Sequence, residues 1–324
     1  MNVHIAGTGS YLPERVMTNA ELADRIETSD EWIVSHTGIH SRHIMADGEN
    51  CSTMAVEAAR RALAKASIRP EDLGYIVMAT STPDYVAFPA TACIVQNELG
   101  AVRAMPFDIS AGCTGFVTAL DIARGLLAND TRPVLVVCSE AMSRILDWND
   151  RNTCPLFGDG AGAVVLTPSD RPGGILKTVF KADGSGHTAI THEGGSRLVD
   201  GQPQPLSKLK MNGRAVFNFA VKVLEEMIER TLKINELTLD HIAHIIPHQA
   251  NTRIIDAAAR RLGIPIQRFF VNIAETANTS SASIPIALDQ LAGQGLLHQG
   301  DRLLLAAFGA GLVAGGTIVE WNPA

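Results

Sequence analysis

The sequence predicts a largely parallel α/β protein built from two copies of one unit, and three observations carry that reading. Apolar strand-like runs alternate with helical patterns along nearly the whole chain, the order that gives parallel sheets with continuously apolar, buried strands. The halves also repeat: Leu73, Ile76 and Val77 correspond to Ile242, Ile245 and Ile246, each 169 positions later (245 minus 76), and Val134–Val137 corresponds to Leu303–Ala306 at the same offset. Each of these last runs precedes a glycine-rich turn and a final strand, GDGAGAVVL in one half and GAGLVAGGTIV in the other. Such self-similarity points to a duplicated α/β unit. The boundary is expected at Asp170–Gly174 (DRPGG), which divides the chain into residues 1–170 and 171–324.

In order, Ile5–Tyr11 reads as the first strand, and Asn19 is placed to cap a short helix after it. Ser52–Ala66 is helical by pattern and propensity, Tyr75–Thr80 is a strand, and Phe88–Leu99 reads as a helix entered from Pro89. PFDISAGCTGFVTALDIARGLL then runs from a short strand through Cys113 into a helix. Phe116, Leu120, Ala123 and Leu127 share one face of that helix. Pro133–Cys138 and Gly158–Leu166 are strands separated by a polar loop. In the second half, strands are expected at Ile175–Phe180, His244–Pro247, Phe269–Ile273, Leu303–Ala307 and Gly316–Glu320. Helices are expected at Ala215–Leu232, Thr252–Leu262 and from near Ser280. The Gly/Pro/polar stretch His192–Ser207 is the expected mobile cover over a site.

With 324 residues, 46% hydrophobic and 19% charged, the chain has the composition of a compact globular protein of two halves rather than a disordered one. A net charge of −7 argues against nucleic acid as the main partner. Five cysteines, an odd number with no CxxC pair, suggest neither a disulfide framework nor a cysteine zinc site, and fit a reducing cytoplasm. No secretory signal pattern is expected at the start. The uncharged run Leu303–Val319 is interrupted by four glycines and reads as two buried strands, not a membrane span.

Three residues could carry chemistry. Cys113 sits at a helix start, where unpaired N–H groups and the helix dipole favour a thiolate, and Gly112 and Gly115 allow close approach to its sulfur. Alone, the segment equally describes a buried cysteine in a strand–helix turn. His248, in PHQANTR, follows an apolar run and emerges at a strand end, where sheet ligands bind, although a core histidine fits the same pattern. Asn278, in ANTSSAS, lies where asparagine is common for structural reasons. Together they supply a nucleophile and two polar groups able to stabilise an oxyanion. Gly309-x-Gly311-x-x-Ala314 fails as a dinucleotide fingerprint because a strand follows it. The His241/His244/His248 and His36/His40/His43 groups lack metal-site company, so no metal is expected.

At AGCTGF, PHQANTRI and ANTSSASIP the chain resembles a β-ketoacyl-acyl-carrier-protein synthase III, a condensing enzyme of the thiolase-like fold. GTGSYLP, TSDEWIV, HTGI, RHI, FGDGAGAVVL and NGRAVF extend the likeness over essentially the whole chain. The resemblance implies a five-layer α-β-α-β-α arrangement and a ping-pong acyl transfer with no permanently bound cofactor. It implies that Cys113 takes an acyl group, typically acetyl, from coenzyme A, with an oxyanion hole from its own N–H and that of Ala310. His248 and Asn278 would stabilise the enolate left when malonyl-acyl carrier protein loses CO₂. The family's coenzyme A contacts fall on Thr28, Trp32, Arg151, Gly213, Phe217 and Asn251. Its carrier-protein surface falls on Gln249, Ala250, Asn251, Thr252, Arg253, Arg260 and Arg261. The segment around Phe88 corresponds to one that closes the partner's acyl pocket in homodimers. His36 stands where the family usually has Arg, Ala277 and Ala310 replace usual glycines, and Val313-Ala314 replaces a common Thr-Trp, which bears on the primer. The competing readings are a related condensing enzyme of specialised metabolism, a Cys–His–Asn hydrolase, and a non-catalytic binding module.

Overall fold

The computed structural model describes residues 2–193, 198–199, 202–203 and 205–322. Its first sheet has five strands in the spatial order Asn2–Tyr11, Gly160–Ser169, Val134–Glu140, Tyr75–Ala79, Met105–Ile109. Its second has four, in the order Val179–Ala182, Val313–Glu320, Arg302–Gly309, His244–Pro247, and the single bridge from Ile245 to Phe269 stands where the fifth strand would be. The two orders superimpose one for one. The central strands are parallel in both sheets, and the strand that returns after each glycine-rich turn is antiparallel.

Side-chain alternation along the strands, with its period of two, assigns each sheet face to a different layer. Val77, Val134, Val136, Leu303 and Leu305 face a central core shared with Phe116, Leu120, Ile284 and Leu288 of the helices Gly115–Leu127 and Ser283–Gly293. The neighbouring Ile76, Met78, Leu135 and Val137 face outward against the helix Cys51–Ala66. Leu304, Ala306 and Phe308 likewise face the helices Gly213–Ile234 and Thr252–Leu262. The result is five layers, α-β-α-β-α. A smaller cluster, Met17, Ile33, Ile39, Met142, Leu146 and Phe157, packs an N-terminal excursion over one end of the sheets.

Three expected elements differ from those observed. The helix read from Phe88 begins at Thr91, because the Asp108 carboxylate accepts the Thr91 and Ala92 N–H groups at 2.7 and 2.8 Å and fixes the first turn there. Phe269–Ile273 is not a strand: only Phe269 bridges to the sheet, and Ile273–Thr276 turns into a short helix. Ile175–Phe180 is a bridge at Ile175 followed by the strand Val179–Ala182. Part of the cover expected at 192–207 lies outside the described residues.

Candidate active site

Cys113, His248 and Asn278, 165 residues apart between first and last, line one cavity of about 680 Å³. The duplication brings them together. Cys113 follows the fifth strand of the first sheet in a single 3₁₀ turn, Gly112–Thr114, that runs into Gly115–Leu127. His248 follows the strand His244–Pro247 of the second sheet, and its N–H donates to the Ala306 carbonyl at 2.8 Å. Asn278 precedes the second central helix, with its N–H on the Leu156 carbonyl at 2.9 Å and its carbonyl accepting Gly158 N–H at 3.1 Å.

The turn after Arg302–Gly309 presses directly on the nucleophile. A Cβ at Gly309 would sit 2.8 Å from Cys113 Cβ and 3.2 Å from its Sγ, so only glycine lets this backbone reach the sulfur. Gly112, at φ +51°, takes the left-handed conformation that carries the chain around Cys113, facing Ala310. Ala310 follows Gly309 in this turn and lines the same cavity as Cys113.

The electrostatics correct one expectation. Burial pushes the Cys113 thiol up to about 12, while the contact with Ser280 Oγ at 3.6 Å opposes that only in part. Burial therefore favours the thiol, against the thiolate that the helix start favours. His248 is 1% exposed, and burial pushes its imidazole down to about 3, so it is neutral at physiological pH. Ser283 Oγ lies 2.7 Å from His248 Nδ1 and accepts Gln249 N–H at 3.4 Å. With the Ser283 hydroxyl donating to Nδ1, the imidazole proton sits on Nε2. Asn278 Oδ1 accepts Ser280 N–H at 2.8 Å, leaving Nδ2 as the amide's donor to the cavity. The pair therefore presents two neutral N–H donors.

Toward the mouth, Trp32, Gly213, Phe217 and Asn251 line the same cavity, and the Arg151 guanidinium stands 4.9 Å from the Trp32 ring centre. His36 stacks on Trp32 at 4.5 Å between centroids, 20° from parallel. Thr28 does not line the cavity. Asn251 is engaged as a cap, accepting Arg253 N–H at 2.8 Å and donating to the His36 carbonyl at 2.9 Å.

One proposed docking residue is misplaced. Gln249 is 0% exposed, and its amide bridges the Pro247 and Phe270 carbonyls and the Asn272 N–H, so it holds the fold and offers nothing to a partner. Thr252 donates to the Thr37 carbonyl and Arg261 pairs with Glu225 at 2.8 Å, while Ala250 lines the cavity and Arg253 and Arg260 are exposed. Phe88 is 85% exposed and lines no cavity beside Cys113 of its own chain. Sequence reasoning missed Arg214, at the cavity mouth, and Ser280 and Ser283, whose serine-rich run read only as a helix start. Among the described residues no cluster of His, Cys, Asp or Glu is arranged to hold a metal ion, and no helix is long and apolar enough to cross a membrane.

Comparison with known proteins assigns the chain. Residues 107–184 match the family model of 3-oxoacyl-[acyl-carrier-protein] synthase III, and residues 232–321 match the model of its C-terminal part. A β-ketoacyl-[acyl-carrier-protein] synthase III of Xylella fastidiosa (strain Temecula1 / ATCC 700964) is 46% identical, the match covering 98% of either chain. The synthase III structure from Thermus thermophilus superimposes with a TM-score of 0.93 at 42% identity, covering 99% of this chain and 100% of that one. The priming β-ketosynthase of the R1128 polyketide biosynthetic pathway superimposes with a TM-score of 0.91 at 37% identity, over 99% and 97%. Matches of this extent to both halves, on a thiolase-like fold with its site at the junction of the sheets, make this chain a member of the β-ketoacyl-acyl-carrier-protein synthase III family.

Proposed function

We propose that this acyltransferase condenses an acyl-coenzyme A primer, acetyl foremost, with malonyl-acyl carrier protein to give a 3-oxoacyl thioester, the step that initiates fatty-acid synthesis. The observation that carries the residue roles is the single cavity into which Cys113, the Gly309–Ala310 turn, His248 and Asn278 all open. Cys113 sulfur attacks the primer's thioester carbonyl, its proton leaves with the coenzyme A thiol, and the Cys113 and Ala310 N–H groups hold the oxyanion. Malonyl thioester then loses CO₂, and the electron pair of the broken C–C bond passes into an enolate. His248 Nε2–H and Asn278 Nδ2–H donate to its oxygen, while its carbon attacks the acyl group and expels Cys113 as a thiolate, which takes a proton from solvent to restore the thiol. A neutral histidine suits this role, because it gives a hydrogen bond without a buried cation.

The Trp32–Arg151 pair supports binding of the coenzyme A adenine, and exposed Arg253 and Arg260 support docking of an acidic carrier protein on a chain that is otherwise acidic. Free cysteines at 51, 93, 113, 138 and 154 fit a reducing cytoplasm. The matching sheet orders support halves divided near residue 170. A homodimer is supported by the unpaired edge of the strand Met105–Ile109 and by the exposed Phe88, whose segment would close the acyl pocket of the other chain as the family resemblance implies.

Incubation with acetyl-CoA should leave an acetyl increment on Cys113 by intact mass, and malonyl-acyl carrier protein should discharge it. Peptide hydrolysis with no such adduct would sink the reading in favour of a hydrolase. Similarity to a priming ketosynthase of polyketide biosynthesis favours a second reading, a primer other than acetyl. Competition among acyl-CoAs in the same measurement separates the two.

A further inference from the structure

Glu140 ends the strand Val134–Glu140 and is 0% exposed, close to the site yet unused by the mechanism above. Its carboxylate oxygens accept from donors on two sides. Oε2 takes Ser81 N–H at 3.0 Å and the Thr82 hydroxyl at 2.8 Å, both just beyond the strand Tyr75–Ala79 of the first half. Oε1 takes the Ser281 hydroxyl at 2.6 Å and, more weakly, Ser281 N–H at 3.4 Å, from the second half. Ser281 belongs to the turn that carries Asn278 and Ser280. That turn holds two non-glycine residues in the left-handed region, Ala277 at φ +54° and Ser280 at φ +50°. Such conformations persist only where the surroundings fix them. A Cβ at Gly115 would sit 2.9 Å from Ser281 Cβ, so the turn is also seated on the start of the Cys113 helix.

We propose that Glu140 is a positioning residue for the condensation step: its carboxylate clamps the Ala277–Ser281 turn onto the strand ends of the first half and thereby sets where Asn278 stands relative to Cys113. The proposal rests on the role given to Asn278 above. Its consequence is selectivity. Cys113 acylation depends on Cys113 and the Gly309–Ala310 turn, which Glu140 does not touch. Decarboxylation depends on Asn278, which it does.

The test uses the full chain with Glu140→Gln, Glu140→Ala and Ser281→Ala. Cys113 acetylation from acetyl-CoA is followed by mass, and CO₂ release from malonyl-acyl carrier protein is followed in parallel. Each variant should lose about 10–10²-fold in CO₂ release and condensation kcat, with acylation and the KM for acetyl-CoA changed by no more than about threefold. Equal losses in both steps, or no loss in either, would overturn the clamp. Should Glu140→Ala fail to fold, the Gln and Ser281→Ala variants decide. A readout that folding alone would not move is the split between the two steps, with CO₂ release falling while Cys113 acetylation and the KM for acetyl-CoA hold. Asn278→Ala, run beside these variants, separates the premises: if it keeps full CO₂ release, the role given to Asn278 has failed, whatever the Glu140 variants do.

Discussion

His248 illustrates how a single buried group sets both chemistry and stability. In the unfolded chain an imidazole titrates near ~6.5, whereas burial pushes His248 down to about 3. Between those values the unfolded state binds a proton that the folded state refuses. Stability from this group is therefore complete above about pH 6.5 and is lost as pH falls toward 3. By pH 5 the loss should reach about 2 kcal/mol. Urea unfolding of wild type and His248→Gln at pH 7.5 and 5 checks this, since the other titrating groups are common to both proteins. The Gln variant should lose less stability on acidification, and parallel losses would show that His248 is solvated or paired in solution. Cys113 and His248 were legible in the sequence because each follows a strand end, whereas Asn278 follows the short helix Ile273–Thr276 where the sequence promises a strand. Protonation was not legible. The helix start argued for a thiolate at Cys113, whereas burial pushes the thiol up and Ser280, 167 positions away, pulls it back, and local sequence contains neither effect.

Among the elements, the turn Gly309–Gly311 does the most to build the site, because it brings the second sheet onto the nucleophile of the first. Gly309→Ala would place a methyl 2.8 Å from Cys113 Cβ, closer than real Cβ contacts allow, so either the turn or the Cys113 segment must move. An overpacked contact of this kind costs about 1–3 kcal/mol. A shift near 1 Å at the reacting atom costs about 10²-fold in rate. Single-turnover acetylation of Cys113, read by mass beside a thermal unfolding curve, should show the rate falling far more than the stability. Full acylation rate in a folded Gly309→Ala protein would refute the close approach. Strands were the most legible elements, since Val134–Cys138 and Leu303–Gly309 are buried on both faces and read as unbroken apolar runs. Element ends were less so. Thr91 begins its helix because of Asp108, 17 residues onward, and Phe269 keeps only one bridge where an apolar run promised a strand. Both outcomes are set by tertiary partners that local patterns do not contain.

At the scale of the molecule, the two copies of the unit have diverged at one place that bears on assembly. In the first sheet the outermost position is a full strand, Met105–Ile109, paired to Tyr75–Ala79 on one side only. In the second sheet the equivalent position is reduced to the Phe269 bridge. An unpaired strand edge is a template for another strand unless charges or bulges protect it. Several large apolar side chains are exposed in this part of the chain, Met105 at 61%, Val102 at 74%, Val86 at 66% and Phe88 at 85%, with exposed Arg103 among them. Exposed apolar residues of this size and number mark an interaction surface when they form a contiguous patch. A second copy, related by a two-fold axis, can pair edge to edge and bury both patches at once, because a two-fold interface joins the same surface on each subunit. It would also bring each Phe88 segment onto the neighbouring chain, as the proposed closure of the acyl pocket requires. Wild type should therefore sediment as a dimer. The double variant Val102→Asp, Met105→Lys should shift toward monomer and lose acylation with it, although neither residue lines the active-site cavity. A monomeric wild type, or a monomeric variant of full activity, would show that each chain closes its own pocket.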